Sequence, residues 1–160
     1  ILNNSNLNGN LNITFKKLDN DYINDLSLKA FLDEGNFIIR DLYFEWHDAA
    51  LINVNDIQIV SDFGEIKFIG EIKFDFNDLD KFYRYYQIKK DNRKKIDSIK
   101  LDFIYELNKE KITLDNLTID GSANRDLDEF FNTFNKKEAT TFNKVTFRNF
   151  VKGFFSNYDG

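Results

Sequence analysis

Gly64-Glu65-Ile66-Lys67-Phe68-Ile69-Gly70-Glu71-Ile72-Lys73-Phe74-Asp75-Phe76 states the phrase GEIKF twice, six residues apart. Side chains of an extended strand alternate between faces, so an even repeat returns each residue type to the same side. Ile66, Phe68, Gly70, Ile72, Phe74 and Phe76 then share one face, and Glu65, Lys67, Glu71, Lys73 and Asp75 share the other, with Ile69 out of place. The kept phase predicts one long strand over 64–76, because Ile69-Gly70 is a poor pair for a hairpin turn. At about 3.3 Å per residue it reaches roughly 43 Å, about twice an ordinary strand. Gly70 predicts a bend or bulge midway.

A second pattern recurs at Ile39-Arg40-Asp41-Leu42-Tyr43-Phe44, Val54-Asn55-Asp56-Ile57-Gln58-Ile59 and Leu114-Asp115-Asn116-Leu117-Thr118-Ile119. The adjacent polar pair breaks the alternation, and in a straight strand the apolar residues before and after it would face opposite sides. A β-bulge or tight turn at the Asp or Asn restores one face. Gly-containing turns follow two of the units, at Asp62-Phe63-Gly64 and Asp120-Gly121. The chain reads as a meander with strands near 7–17, 24–33, 36–46, 50–60, 64–76, 98–107 and 111–120.

Three segments change to helical spacing. Leu79, Phe82, Tyr83 and Tyr86 fall at i, i+3, i+4 and i+7, with Asn77 as the expected N-cap and Asp78 and Asp80 in the first turn. Leu127, Phe130, Phe131 and Phe134 repeat this behind Asp126 and Asp128. The last segment carries Phe147, Val151, Phe154 and Tyr158 with Phe150 alongside, and Gly153 costs it about 1 kcal/mol relative to Ala.

The expected fold is therefore mainly β within the α+β class: a long, curved antiparallel meander sheet forming a groove, with one inserted helix and two C-terminal aromatic-faced helices. One unit is expected from 160 residues, divided into a sheet module at 1–121, with its helix near 78–89, and a helical segment at 122–160 that packs on or caps the sheet.

The chain has 18 Phe, 7 Tyr and one Trp but no Cys, Pro or Met, and a net charge of −5. The missing Met predicts a fragment or processed product of a longer protein. Without Cys, disulfides, thiol catalysis and Cys-ligated zinc are excluded. The negative charge argues against general affinity for nucleic acid. No stretch approaches the roughly 20 apolar residues that span a bilayer as a helix. Sequons stand at Asn3, Asn12 and Asn116, as expected by chance in so Asn-rich a chain.

His47, the lone histidine, follows Trp46 and precedes Asp48. Metal sites converge several ligands and catalytic histidines need a partner, so it reads as a strand-end surface residue and no metal or cofactor is expected. Lys89, Lys90, Arg93, Lys94 and Lys95 form a cationic run in an acidic chain. It reads as a solvated loop or as a contact for anionic headgroups or an acidic partner. The one-sided strand also supports two readings: an ordinary core covered by the aromatic helices, or a groove only partly closed by them and open to acyl chains.

The bulged meander, the segment Gly70 to Phe76 running into Lys81-Phe82-Tyr83-Arg84-Tyr85-Tyr86-Gln87, and Lys95-Ile96-Asp97-Ser98-Ile99-Lys100-Leu101-Asp102-Phe103 together resemble the C-terminal part of bacterial AsmA-like proteins, over about residues 7–121. The resemblance implies a non-enzymatic, bridge-like lipid-transfer module of the cell envelope. Such a module lies in the periplasm, is held to the inner membrane through an upstream anchor, and moves phospholipid toward the outer membrane. It carries over no catalytic residue. It implies a lipid-facing strip of Ile66, Phe68, Ile72, Phe74, Phe76, Leu101, Phe103 and Tyr105, with the cationic run at headgroups or at an envelope protein partner. Residues 122–160 depart from it, being Phe-rich helices where further strands are expected. The alternative is a structural or protein-binding β-domain with a fully packed core, docking a partner through its basic loop or C-terminal helix.

Overall fold

The computed structural model describes residues 8–17, 24–33, 36–62, 64–125, 127–136 and 144–160. Eight strands pair in chain order, each antiparallel to the next: β1 (Gly9–Lys17), β2 (Asn24–Asp33), β3 (Asn36–Trp46), β4 (Ala50–Asp62), β5 (Glu65–Phe76), β6 (Ser98–Glu106), β7 (Lys111–Ile119) and β8 (Ser122–Ala123). Helix α1 (Leu79–Tyr86) interrupts the meander, and α2 (Asp128–Asn135) and α3 (Lys144–Asn157) follow it. The meander, its inserted helix and the two C-terminal helices are as read from the sequence. The sheet is not strongly curled, and its hollow comes from the helices laid against it.

The doubled phrase forms a single strand, with Ile69 on the outer face beside Ile104 of β6, the two 36% and 39% exposed. All three polar pairs form bulges. Asp41, Asp56 and Asn116 take φ of 51, 50 and 51°, the left-handed region that Asp and Asn tolerate best after Gly. The β3 and β4 bulges stand opposite each other, so Ile39 pairs with Ile57 and Leu42 with Val54 without net slip. Against the straight neighbours the register does shift, between Asn55 and Gln58 on β4 and between Lys100 and Asp102 opposite β7. The shift keeps Ile39 with Leu42, Val54 with Ile57, and Leu114 with Leu117 on the core face.

Gly70 is not itself bulged but stands opposite the β4 bulge. A Cβ there would lie 3.1 Å from a Phe103 ring carbon, 3.2 Å from the Asn55 carbonyl oxygen and 3.3 Å from Ile57 Cγ1. Its lack of a side chain is what lets the bulged backbone close on β5.

Two turns need positive φ. Asp120 and Gly121, at 50 and 79°, make the two-residue β7–β8 hairpin, and this short eighth strand was not anticipated. Gly64, at 83°, closes the β4–β5 turn, while Leu7, Phe63 and Asp126 lie outside the described residues. Helix α1 is capped by Asp78, whose carboxylate accepts from the Lys81 amide at 2.8 Å. The expected cap at Asn77 is thus corrected by one residue: the Asn77 and Asp78 amides both donate to the Ala49 carbonyl, which holds Asn77 in the incoming turn. The helix stops at Tyr86, short of residue 89, because Gln87 turns left-handed at φ 56°.

A single apolar core joins sheet and helices. It includes Trp46, Ile52, Val54, Leu101 and Leu114 from the strands, Phe82 and Tyr83 from α1, Phe131 and Phe134 from α2, and Val151, Phe154, Phe155 and Tyr158 from α3. Helices α2 and α3 therefore contribute to the same core as the sheet. Gly153 offsets its helical cost by admitting the Phe130 ring, whose nearest carbon would lie 2.7 Å from a Cβ there.

Two substitutions separate bulge from strand. Gly70→Ala forces the Asn55 backbone or Phe103 to move and is expected to cost about 1–3 kcal/mol in urea unfolding. Asp56→Val, a β-branched side chain in the left-handed region, is expected to cost about 1–2 kcal/mol, while Asp56→Gly is neutral or stabilising. Equal stability of Asp56→Val and Asp56→Gly would contradict the bulge geometry.

Candidate functional site

The lengths of the elements create the site. The 12 residues of β5 extend about 40 Å at 3.3 Å each, whereas the 14 residues of α3 extend about 21 Å at 1.5 Å each. Helix α3 is thus about half as long as β5, and among the described residues the strip at Ile66, Phe68 and Tyr105 is half-buried. At the α1 end the rings interlock around Trp46, which meets Phe82 and Tyr86 edge-on at 5.8 and 5.5 Å and Phe147 at 5.2 Å. Phe155 of α3 meets Tyr83 edge-on at 5.0 Å.

Between α3 and the sheet lies a cavity of about 360 Å³. All 18 lining residues are apolar or aromatic and no polar atom is exposed on its wall. Water in such a space has no hydrogen-bond partner, so the cavity is suited to a hydrocarbon guest, and its volume lies within the ligand-pocket range of about 300–1,000 Å³. The floor is the sheet, with Val54, Ile57, Leu101 and Leu114 among its residues; the roof is Phe147, Phe150, Val151, Phe154 and Phe155 of α3.

Of the residues read as a lipid strip, Ile72, Phe74, Phe76, Leu101 and Phe103 line this cavity. Ile66, Phe68 and Tyr105 do not. They lie on the same sheet face, half-buried, with the Phe68 and Tyr105 rings 6.3 Å apart. The strip is continuous along β5 and β6, from the cavity lining to these half-buried residues. The lining residues Leu42, Val54, Ile57 and Leu114 were not singled out from the sequence, although the bulge pattern had marked them as core-facing. Of the α3 roof residues, Phe147, Phe150, Val151 and Phe154 belong to the aromatic face read from the sequence, and Phe155 was not singled out.

The cationic run does not act as one patch. Arg93 donates through Nε to the Ile88 carbonyl at 3.1 Å and lies 5.8 Å from the Tyr83 ring centroid. Lys94 donates to the Asp159 carbonyl, tying this loop to the C-terminal residues, and Asn92 Nδ2 donates to Ser156 Oγ at 2.9 Å. Lys89, Lys90 and Lys95 stay exposed. His47 is half-buried, stacked on Tyr85 with centroids 4.2 Å apart, and Asp48 pairs with Lys81 at 3.0 Å. Among the described residues no group of three His, Cys, Asp or Glu side chains is arranged to hold a metal ion. No helix is long and apolar enough to cross a membrane, again among the described residues.

Tyr83 anchors α1 to the basic loop: its hydroxyl donates to the Lys94 carbonyl and accepts from the Lys94 amide at 3.1 Å. Burial pushes this hydroxyl up to about 12, against the opposing effect of the Lys94 hydrogen bond. An unfolded Tyr ionises near 10, so the folded state holds its proton where the unfolded state has lost it. The contribution is whole below about pH 10 and is lost as pH rises toward 12. The stability difference between wild type and Tyr83→Phe, from urea midpoints, should be constant below pH 10 and shift against wild type above it; a constant difference throughout would refute the assignment. No protein-family model matches the chain, and no curated protein or solved structure is significantly similar to it.

Proposed function

We propose that this chain is a non-enzymatic lipid-handling module of the cell envelope, which shelters phospholipid acyl chains under α3 and along the apolar sheet face. The observation that carries the reading is a wholly apolar cavity continuous with a half-buried apolar strip. An acyl chain entering it leaves water for hydrocarbon at about 25 cal/mol per Å² of buried surface. Its headgroup stays in solvent, since no polar atom lines the cavity. The exchange is passive and uses no cofactor.

The resemblance to AsmA-like proteins supplies the proposed setting: the periplasm, an anchor in the inner membrane outside this chain, and transfer toward the outer membrane. The cavity favours this reading over a protein-binding domain with a fully packed core, whose helices would fill the space above Leu101 and Val54. The basic loop supports partner docking less well, because Arg93 and Lys94 are committed to contacts within the chain.

A fluorescent fatty acid is expected to bind the detergent-free protein, and native mass spectrometry to find co-purified lipid. The double variant Val54→Phe, Leu101→Phe fills the cavity floor. It should keep a cooperative urea transition, within about 1–3 kcal/mol per site of the parent, and lose at least about tenfold in affinity, equal to ~1.4 kcal/mol. A parent that binds no fatty acid and carries no lipid, or a filled and folded variant that binds as tightly, would overturn the proposal.

A further inference from the structure

The two ends of the apolar cavity differ. Along β5 its lining runs from Phe76, opposite Ala50, to the level of Gly70, whose register partner Phe103 is also in the wall. Six residues of strand make that span about 20 Å. At the Phe76 end the wall is made of rings: Phe82 stands edge-on to Phe76, with centroids 5.1 Å apart, and edge-on to Trp46. Behind them Ala49, Ala50, Tyr83 and Tyr86 are buried, and the Asn77 and Asp78 amides are tied to the Ala49 carbonyl. That end is a packed stop.

At the Gly70 end the lining passes through Phe103 into Phe68 and Tyr105, which are only half-buried. Volume then limits what fits. An apolar cavity of about 150 Å³ lined by Leu, Ile and Phe holds benzene, which allows about 25 Å³ for each of its carbons. At the same allowance, the 360 Å³ under α3 takes about 14 carbons. Two chains of that length would need twice the space.

We infer that the cavity is a length gauge for a single acyl chain of about 14 carbons, its methyl end against Trp46, Phe76 and Phe82 and its head group on the side of Phe68 and Tyr105. The inference rests on the reading of the cavity as an acyl-chain site and adds to it the number and length of chains. Each methylene that enters the cavity leaves water, worth about fourfold in affinity. One added after the methyl end has met the stop stays in the half-buried strip and gains less. Trp46 and Phe76 are then specificity-determining residues, which set chain length without touching the head group. A two-chain phospholipid would place only one chain inside.

Saturated fatty acids from about 8 to about 18 carbons, displacing a fluorescent fatty acid from the detergent-free full chain, are expected to gain about fourfold in affinity per carbon up to about 14 carbons and less than about twofold per carbon beyond it. Native mass spectrometry should find one fatty acid per chain. Trp46→Leu removes ring bulk from the stop and should move the break to longer chains by about two carbons. Phe76→Leu, at a half-buried position, should move it the same way, and a cooperative urea transition verifies that each variant folds. The parent series decides even where neither does. A parent that binds no fatty acid of any length overturns the acyl-chain reading and this inference together. Affinity that keeps rising about fourfold per carbon to about 18 carbons, two fatty acids per chain, or a break that stays in place in a folded variant overturns the length gauge alone.

Discussion

The constraint on which the rest depends is phase. A strand of 11 to 13 residues, as in β3 and β4, must keep one side apolar along its whole length, yet each of β3, β4 and β7 carries two adjacent polar residues where alternation allows one. The left-handed turn at Asp41, Asp56 and Asn116 absorbs the extra residue. It requires a side chain whose short polar group tolerates positive φ, which is why Asp or Asn recurs at that position and a β-branched residue does not.

These turns are placed in one band across the sheet. The β3 and β4 bulges face each other, Gly70 stands opposite the second, and the β7 bulge lies two strands farther on, where Asn116 Nδ2 donates to Asp102 at 2.7 Å. On the core face Val54, Leu101 and Leu117 lie on the α1 side of the band and Ile57, Leu114 and Ile112 on the other, where Phe68 and Tyr105 continue the face. The cavity floor spans the band, and α3 bridges from α1 to α2. A one-residue slip in any bulged strand would turn its core residues outward, so the cavity and the sheet stand or fall together.

The outer face is held differently. Lys67 with Glu106 and Lys100 with Glu71 pair across strands at 3.7 and 2.6 Å, and Lys109 in the turn after β6 pairs with Glu65 and Glu106 at 3.1 and 2.8 Å. The pairing with Glu71 raises the Lys100 pKa, and the hydrogen bond from Lys109 lowers that of Glu106. Exposed pairs of this kind add little stability singly. Their alternating signs favour the native register and keep this face in water, while the opposite face holds the apolar load.

The sequence by itself determined the strand periods, the bulges and the aromatic faces of the helices, because each is local: alternation, the Asp or Asn tolerance of positive φ, and i, i+3, i+4 spacing act within a few residues. The eighth strand escaped it, since two residues show no period. Only the tertiary structure decided that the five cations would part: Arg93 folds back on the Ile88 carbonyl and Tyr83, while Lys94 reaches the Asp159 carbonyl, 65 positions along the chain. It also decided how much of the apolar strip is roofed. That answer depends on where α3 lands, and residues from 33 (Leu114 to Phe147) to 101 (Val54 to Phe155) positions apart along the chain carry no local mark of meeting.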